Sequence, residues 1–296
     1  MIQIEYDAQM LARVQGVEYR LLQGFLDVCE RVNVRCFAVF GTAIGAVRHG
    51  GFIPWDDDLD MGMLRPDYER LVAAVEAHPE WGYGVSGPGC SQRFYNLVGK
   101  FYLQGTVFHT EYARDDYPMG INLDIFVYDE LSANPLALRV QNRWAAAVAK
   151  LNIVRNVNML TRAVRKDASN LVPRIAAGIA HGVLQLVPKT FFESSYERVA
   201  RQGEGSGSKV YNQFNDPWTL EGSMSEEEIF PLVTMDFGPV NVPMPAGYDA
   251  VLRRQYGDYM ELPPVEVRHN HHPYRLQFEP GGPMYGTAVD SGGKGA

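Results

Sequence analysis

Apolar residues recur at spacings of three and four along the first stretch of the chain: Leu11, Val14, Val17, Leu21, Phe25, Val28 and Val32. That period predicts an amphipathic helix over residues 8–32, with Asp7 as its N-cap. A short apolar run from Cys36 to Phe40 ends at Gly41 and reads as a buried strand. Thr42 to Val47 then reads as one or two helical turns. Residues 58–64 alternate and predict a strand, because successive strand side chains point to opposite faces. Pro66 suits the first position of a helix that Tyr68 to His78 continue. Residues 94–103 and 122–128 read as two more strands. The first 130 residues thus predict a helix, a strand, a short helix, a strand, a helix and two strands, an α/β (α+β) core.

From 135 to 202 the pattern turns helical, and Pro173 and Pro188 divide it into at least three helices. GEGSGSK at 203–209 reads as a break. Ser225 with Glu228 makes a capping-box signal, and residues 232–243 read as strands. Tyr248 to Tyr256 predicts a short helix closed by Gly257. The last sixteen residues are Gly-rich with little apolar content and are expected to be disordered. The pattern divides the chain into a core at 1–134, a helical insert at 135–202, a C-terminal part at 203–280 that packs back on the core, and a tail at 281–296. No internal repeat is visible.

The composition narrows the function classes. The 296 residues are 46% apolar and 21% charged, which is ordinary globular stock. The net charge is -8 and the sequence pI about 5.4, with no Lys/Arg-rich run, so binding to a long phosphate backbone is not expected and no nucleic-acid partner is implied. Cys29, Cys36 and Cys90 are odd in number and show no CxxC spacing, so they read as reduced buried thiols. The first sixteen residues lack a basic segment followed by an apolar one, so no signal peptide is expected. No stretch reaches the roughly 18 uninterrupted apolar residues of a membrane span.

The chemistry concentrates at Asp56-Asp57-Asp58-Leu59-Asp60, four carboxylates in five positions. On an extended backbone Asp56, Asp58 and Asp60 share one face, while Asp57 and Leu59 take the other. Crowded carboxylates must protonate or recruit a cation, and a hard divalent ion with oxygen ligands relieves the repulsion. The apolar flanks Phe52-Ile53-Pro54-Trp55 and Leu59-Met61-Met63 argue against a solvated acidic loop. A calcium loop fails because Met61 stands where Gly is required and Asp67 where Glu is expected. Upstream, Gly41-Thr42 and Gly45 form a small-residue turn that can present backbone N–H groups to a phosphate. A turn of this kind followed by an Asp-x-Asp strand is the layout of the nucleotidyltransferase fold. Asp124, set among Leu123, Ile125, Phe126 and Val127, offers a third carboxylate. An Asp inside an apolar strand needs a partner or a metal; the alternative is a structural Asp bonded to nearby backbone. Asp129 reads as a strand end.

These residues carry a resemblance. The run from Phe40-Gly-Thr to Trp55-Asp-Asp-Asp-Leu-Asp60, followed by Arg65-x-Asp67-Tyr68, closely resembles the LicD family. That family includes bacterial phosphocholine transferases and is related to the fukutin group of ribitol-phosphate transferases. Leu123-Asp-Ile-Phe126, Tyr256-Gly-Asp-Tyr-Met-Glu-Leu-Pro-Pro264, Arg268 and His271-His272 also look like family segments, whereas the helical middle shows least resemblance. The resemblance implies a nucleotidyltransferase-like mixed sheet with a helical insert and a divalent cation, Mg²⁺ or Mn²⁺. It implies transfer of a phospho-alcohol such as phosphocholine from a CDP-activated donor to a hydroxyl of a cell-surface glycan, of the lipopolysaccharide or teichoic-acid kind, at the cytoplasmic side of the membrane. Asp58 and Asp60 match the metal-binding pair, with Asp124 as the third carboxylate. Gly41, Thr42 and Arg48 would lie by the donor phosphates, with Lys100 as a further phosphate partner and His271 or His272 facing the site.

In the mechanism this implies, the cation on Asp58 and Asp60 orients the donor diphosphate for in-line attack, and Asp124 completes the cage or takes the acceptor's proton. Asp56 or Asp57 would support the ligands or hold the Arg48–His49 turn. His49 reads as structural, and Tyr256 and Tyr259 as packing residues. Leu171, Ile175, Ile179, Val183 and Leu186 share one helical face, with Phe191-Phe192 beyond. An interfacial helix there would suit a lipid-linked acceptor and a peripheral membrane contact, and a core or dimer helix is the alternative. Two other functions fit the same residues: a nucleotidyltransferase that releases pyrophosphate, and a non-catalytic glycan- or nucleotide-binding relative.

Overall fold

A computed structural model describes residues 6–92, 97–110, 119–156, 179–214, 220–268, 270–271 and 273–286. Helix α1 (Ala8–Arg31) begins where Asp7 accepts the Met10 N–H at 2.8 Å, and its stripe Val14, Val17, Leu21, Leu22 and Phe25 is buried. Strand β1 (Phe37–Ala38) leads directly into α2 (Phe40–His49). The helix therefore starts earlier than the sequence pattern indicates, and Gly41 and Thr42 lie in its first turn. Phe40 makes this abrupt turn by taking a left-handed backbone (φ 46°), while the preceding Val39 N–H donates to the Asp60 carbonyl. Strand β2 (Asp60–Leu64) runs into α3 (Arg65–Ala77), with Pro66 in the first turn.

Strands β3 (Tyr83–Ser86), β4 (Gly99–Leu103), β5 (Val107–His109) and β6 (Asn122–Glu130) follow. The main sheet has the order β1-β2-β6-β4-β3; β2 and β6 pair in parallel and the other pairs along this path are antiparallel. Neither β3 nor β5 was expected from the pattern: each is short and lacks a sustained alternation. β6 shows the alternation that orients the sheet. Leu123, Ile125 and Val127 are buried in the main core with α1 and α3, and Asp124 and Phe126 point to the other face. The architecture is a mixed α+β fold.

Helices α4 (Pro135–Asn156) and α5 (Lys189–Ala200) pack together in an apolar cluster of Ala145, Val148, Ala149, Phe192, Tyr196 and Val199 that also takes in Leu97, Leu131 and Phe214. Arg65 ties α5 to β6. Its guanidinium donates to both oxygens of Asp129 (2.8 and 2.7 Å) and to Glu197 of α5 (3.0 and 3.1 Å). Asp129 therefore lies within β6 as a buried ion-pair partner and does not end the strand.

Strands β7 (Val210–Asn212) and β8 (Met224–Ser225) extend the sheet from β6. Ser225 and Glu228 form the expected capping box on the one-turn helix α6 (Glu226–Ile229). A hairpin of β9 (Val233–Phe237) and β10 (Val240–Met244) places Phe237 against Tyr19 and Phe52, and helix α7 (Tyr248–Tyr256) ends at Gly257. Strands β11 (Arg275–Gln277) and β12 (Tyr285–Gly286) then pair with β5 and with each other. Tyr285 and Gly286 fall in the run expected to be disordered, yet they are paired, and the Tyr285 hydroxyl accepts from Arg13 at 2.7 Å. Residues 287–296 lie outside the described residues.

Candidate active site

The acidic loop is built by a strand, a helix start and the two ends of the chain. The expected strand at 58–64 begins only at Asp60; ahead of it, Asp56 N–H donates to the Ile53 carbonyl and Asp57 N–H to its neighbour's Asp56 Oδ1. This turn folds four carboxylates into a small volume. Asp60 is fixed twice. Its N–H donates to Thr42 Oγ1 at 2.7 Å, and its Oδ2 accepts the Gly41 N–H at 3.1 Å. Thr42 thus orients the Asp60 backbone through a buried hydroxyl. Gly41 faces two acids, since a side chain there would meet Asp56 Oδ2 at 3.1 Å and Asp60 Oδ2 at 3.3 Å.

Asp57 is the hub of the loop. Its side chain is fully buried; Oδ2 accepts from the Tyr6 hydroxyl at 2.8 Å, and Oδ1 accepts from the His271 backbone N–H at 2.8 Å. His271 Nδ1 lies 3.1 Å from the same oxygen, and its Nε2 lies 3.7 Å from Asp58 Oδ2. Gln15 of α1 adds a bond to the Asp56 carbonyl at 2.8 Å. Beneath them Glu18, also on α1, is 1% exposed and its Oε2 has no hydrogen-bond partner.

Among the described residues, one group of potential metal ligands converges: donor atoms of Asp56, Asp58 and His271 all lie within 4.8 Å of one another. Asp58 is thus gathered with Asp56 and His271. Asp60 and Asp124, expected beside it, stand opposite each other on one rung of the parallel β2–β6 pair. Asp124 accepts a short ion pair from Lys100, its cross-strand partner on β4, so Lys100 meets a carboxylate where the sequence reading expected a phosphate. Arg48 donates to the carbonyls of Tyr259 (2.6 Å) and Glu261 (3.3 Å) and to His49 Nε2 (2.9 Å), which ties α2 to the loop after α7. Arg268 lies over the Trp55 ring at 4.6 Å, and its charge helps to lower the Arg48 pKa below that of burial alone. His272 lies outside the described residues. Tyr259 is buried with its hydroxyl on Asp249, a packing role.

The electrostatics match a cation site. Burial, together with Asp58, pushes Asp56 up to about 8. Burial also raises Asp58, and holds Asp60 well above the usual carboxylate range with Asp58 and Asp124 adding to it. His271 is raised to about 9, chiefly by its hydrogen bond to Asp57. These raised carboxylates favour protonation, and a hard divalent ion would supply the positive charge that they lack. The donor set, carboxylates with one imidazole, fits such an ion. The sequence reading missed Tyr6, Gln15 and Glu18, and gave Asp56 and Asp57 only supporting roles. The signal for Glu18 was present: it is an acid next to Val17 on a stripe of core residues.

Comparison with known proteins finds relatives that cover this region. Residues 33–146 match the family model described as LicD/FKTN/FKRP, nucleotidyltransferase domain, a span that holds α2, β2, Lys100 and Asp124. The chain is 26% identical over 264 residues to the lipopolysaccharide cholinephosphotransferase LicD of Haemophilus influenzae, covering 88% of this chain and 96% of that protein. An uncharacterised protein of Rickettsia prowazekii, RP689, is 32% identical over 120 residues, covering 38% of this chain and 42% of its own length.

Proposed function

Taking residues 33–146 as a LicD-type nucleotidyltransferase domain, we propose that the protein transfers phosphocholine, or a closely related phospho-alcohol, from a CDP-activated donor to a glycan hydroxyl. The observation that carries this reading is the convergence of Asp56, Asp58 and His271 beside the Asp60–Asp124 rung, inside the matched domain. The similarity to a lipopolysaccharide cholinephosphotransferase over nearly the whole chain supports both the chemistry and the acceptor class.

Asp58, with Asp56, His271 and the neighbouring Asp60, would hold a divalent cation, Mg²⁺ or Mn²⁺, which would supply the charge neutralisation that phosphoryl transfer requires. The protein's own groups do the rest. Gly41 leaves room beside Asp56 and Asp60 at the start of α2, where a side chain would crowd both carboxylates. Thr42 holds the Asp60 backbone, and Tyr6, Gln15 and Asp57 hold the turn that carries Asp56 and Asp58. Asp124, ion-paired with Lys100, would complete the carboxylate set or accept the acceptor hydroxyl's proton. Arg268 and Arg48 bring positive charge to the rim where the diphosphate would enter.

The test is a donor screen with purified protein, Mg²⁺ and a lipopolysaccharide-derived oligosaccharide. CDP-choline, CDP-ribitol, CDP-glycerol and CTP are each scored for CMP and pyrophosphate. CMP release with a CDP-alcohol that depends on the acceptor is the expected result, and Asp58→Asn and Asp60→Asn should each lower it by at least about 100-fold. Pyrophosphate release from CTP would assign a nucleotidyltransferase instead, and undiminished turnover in both variants would remove these aspartates from the site.

A further inference from the structure

Helix α4 is turned with its larger apolar side chains outward. Leu136, Val140, Trp144 and Leu151 fall on one face, at spacings of four, four and seven, and are 71%, 59%, 55% and 45% exposed. Its inward face carries Gln141, Ala145, Val148, Ala149 and Asn152, with Leu138 partly buried beside them. This orientation is locked. The Gln141 amide accepts from Ser132 N–H and donates to the Val199 and Ala200 carbonyls, all buried, so rotating the helix to hide its apolar stripe would break that network. At its C-terminal end a short helical segment at 179–184 packs through His181 on the Val154 carbonyl, and Ile179, Val183 and Leu186 there are 63%, 57% and 84% exposed.

Charge says what this face fits. Arg139, Arg143 and Lys150 are exposed along one side of the α4 stripe, and the helix contains no Asp or Glu. Residues 135–192 hold nine Lys/Arg and one acid, although the whole chain has a net charge of -8. An apolar stripe flanked by cations, with a Trp among the apolar residues, matches a surface that is anionic outside and hydrocarbon beneath. A second copy of the chain docked through the same face by a two-fold axis would set these cations against each other.

We propose that α4 and the adjoining 179–187 segment form a peripheral docking face for a membrane that carries anionic lipid. The inference is independent of the transfer reaction, because its readout is binding alone. The full-length protein is sedimented with vesicles of phosphatidylcholine, and with vesicles of phosphatidylcholine and phosphatidylglycerol in equal parts. Retention on the mixed vesicles at least about tenfold above the neutral ones, weakening as KCl is raised, is expected. Arg139→Gln with Arg143→Gln should weaken it about 25-fold, about fivefold per cation. Val140→Ser with Trp144→Ser should abolish it. Equal retention by the two vesicle types, no retention, or retention insensitive to salt overturns the proposal without recourse to any variant. Unchanged binding by the Arg variants overturns it too. So does a stable dimer in sedimentation velocity that Val140→Ser with Trp144→Ser dissociates, because the face would then belong to a second copy.

Discussion

Asp60 and Asp124 are register partners on adjacent parallel strands, and Lys100 is the register partner of Asp124 on the antiparallel side, so two acids and a lysine occupy one rung across three strands. The burial pattern of β6 sends Asp124 to the face opposite the main core. The lysine therefore competes with any cation for Asp124. Lys100→Met removes that competitor and should tighten Mn²⁺ binding, read by calorimetry, by about tenfold, the usual size of one outer partner's influence. Transfer should fall in the same variant if Lys100 also meets the donor. Unchanged metal binding would show that Asp124 takes no part in the cation site.

Gly41 is the point where helix α2 meets the acids. A methyl group there would stand 3.1 Å from Asp56 Oδ2 and 3.3 Å from Asp60 Oδ2, tighter than ordinary contact. Gly41→Ala should push those carboxylates apart and lower turnover by roughly ten- to a hundredfold, as small misplacements of reacting groups do. The melting temperature should change little, because Ala suits a helical position at least as well as Gly. A variant that loses stability but keeps full turnover per folded molecule would refute the placement.

The Asp57 hub ties residue 6 to residue 271 through one buried carboxylate. Tyr6→Phe deletes a donor to that carboxylate and should cost about 1–3 kcal/mol in urea unfolding. It should also weaken metal binding, since the turn carrying Asp56 and Asp58 loses an anchor. A purely structural tyrosine would leave metal affinity unchanged.

Glu18 is buried without a partner for Oε2, and burial holds its carboxyl well above the usual range, with Asp57, Asp58 and Asp56 adding to the effect. The folded state thus keeps a proton that the unfolded chain releases near pH 4.3. Its stabilising contribution is fully present below that pH and is lost as pH rises through the folded value. Chelator-treated protein should therefore lose stability between about pH 5 and neutrality, and Glu18→Gln should flatten that slope and raise the melting temperature at pH 7. An identical pH profile in wild type and variant would contradict this.

Arg65 and Asp129 are 5% and 3% exposed, and Glu197 joins them from the helical insert. Arg65→Met leaves Asp129 buried without its cation and should destabilise the protein by about 3–5 kcal/mol in urea unfolding. Arg65→Met with Asp129→Leu should recover much of that loss, because an apolar pair of similar volume costs little at a buried site. Failure of the double variant to recover would show that Glu197 carries the effect.

The sequence by itself determined the elements whose signals are local. Asp7, Pro66, the Ser225–Glu228 box and Gly257 mark helix ends that the structure places there, since a cap bonds within one turn of its own residue. The acidic loop, the Asp-x-Asp order and Asp124 in its apolar strand were legible for the same reason: spacing and period are written along the chain. Partners were not. Tyr6 reaches Asp57 across 51 positions and His271 reaches it across 214, and no periodicity encodes such a meeting. Lys100 is claimed by Asp124 only because β4 and β6 pair in that register. The outward face of α4 was decided the same way. A helical period shows an apolar stripe, but the buried Gln141 network determines which side of the helix turns toward the core.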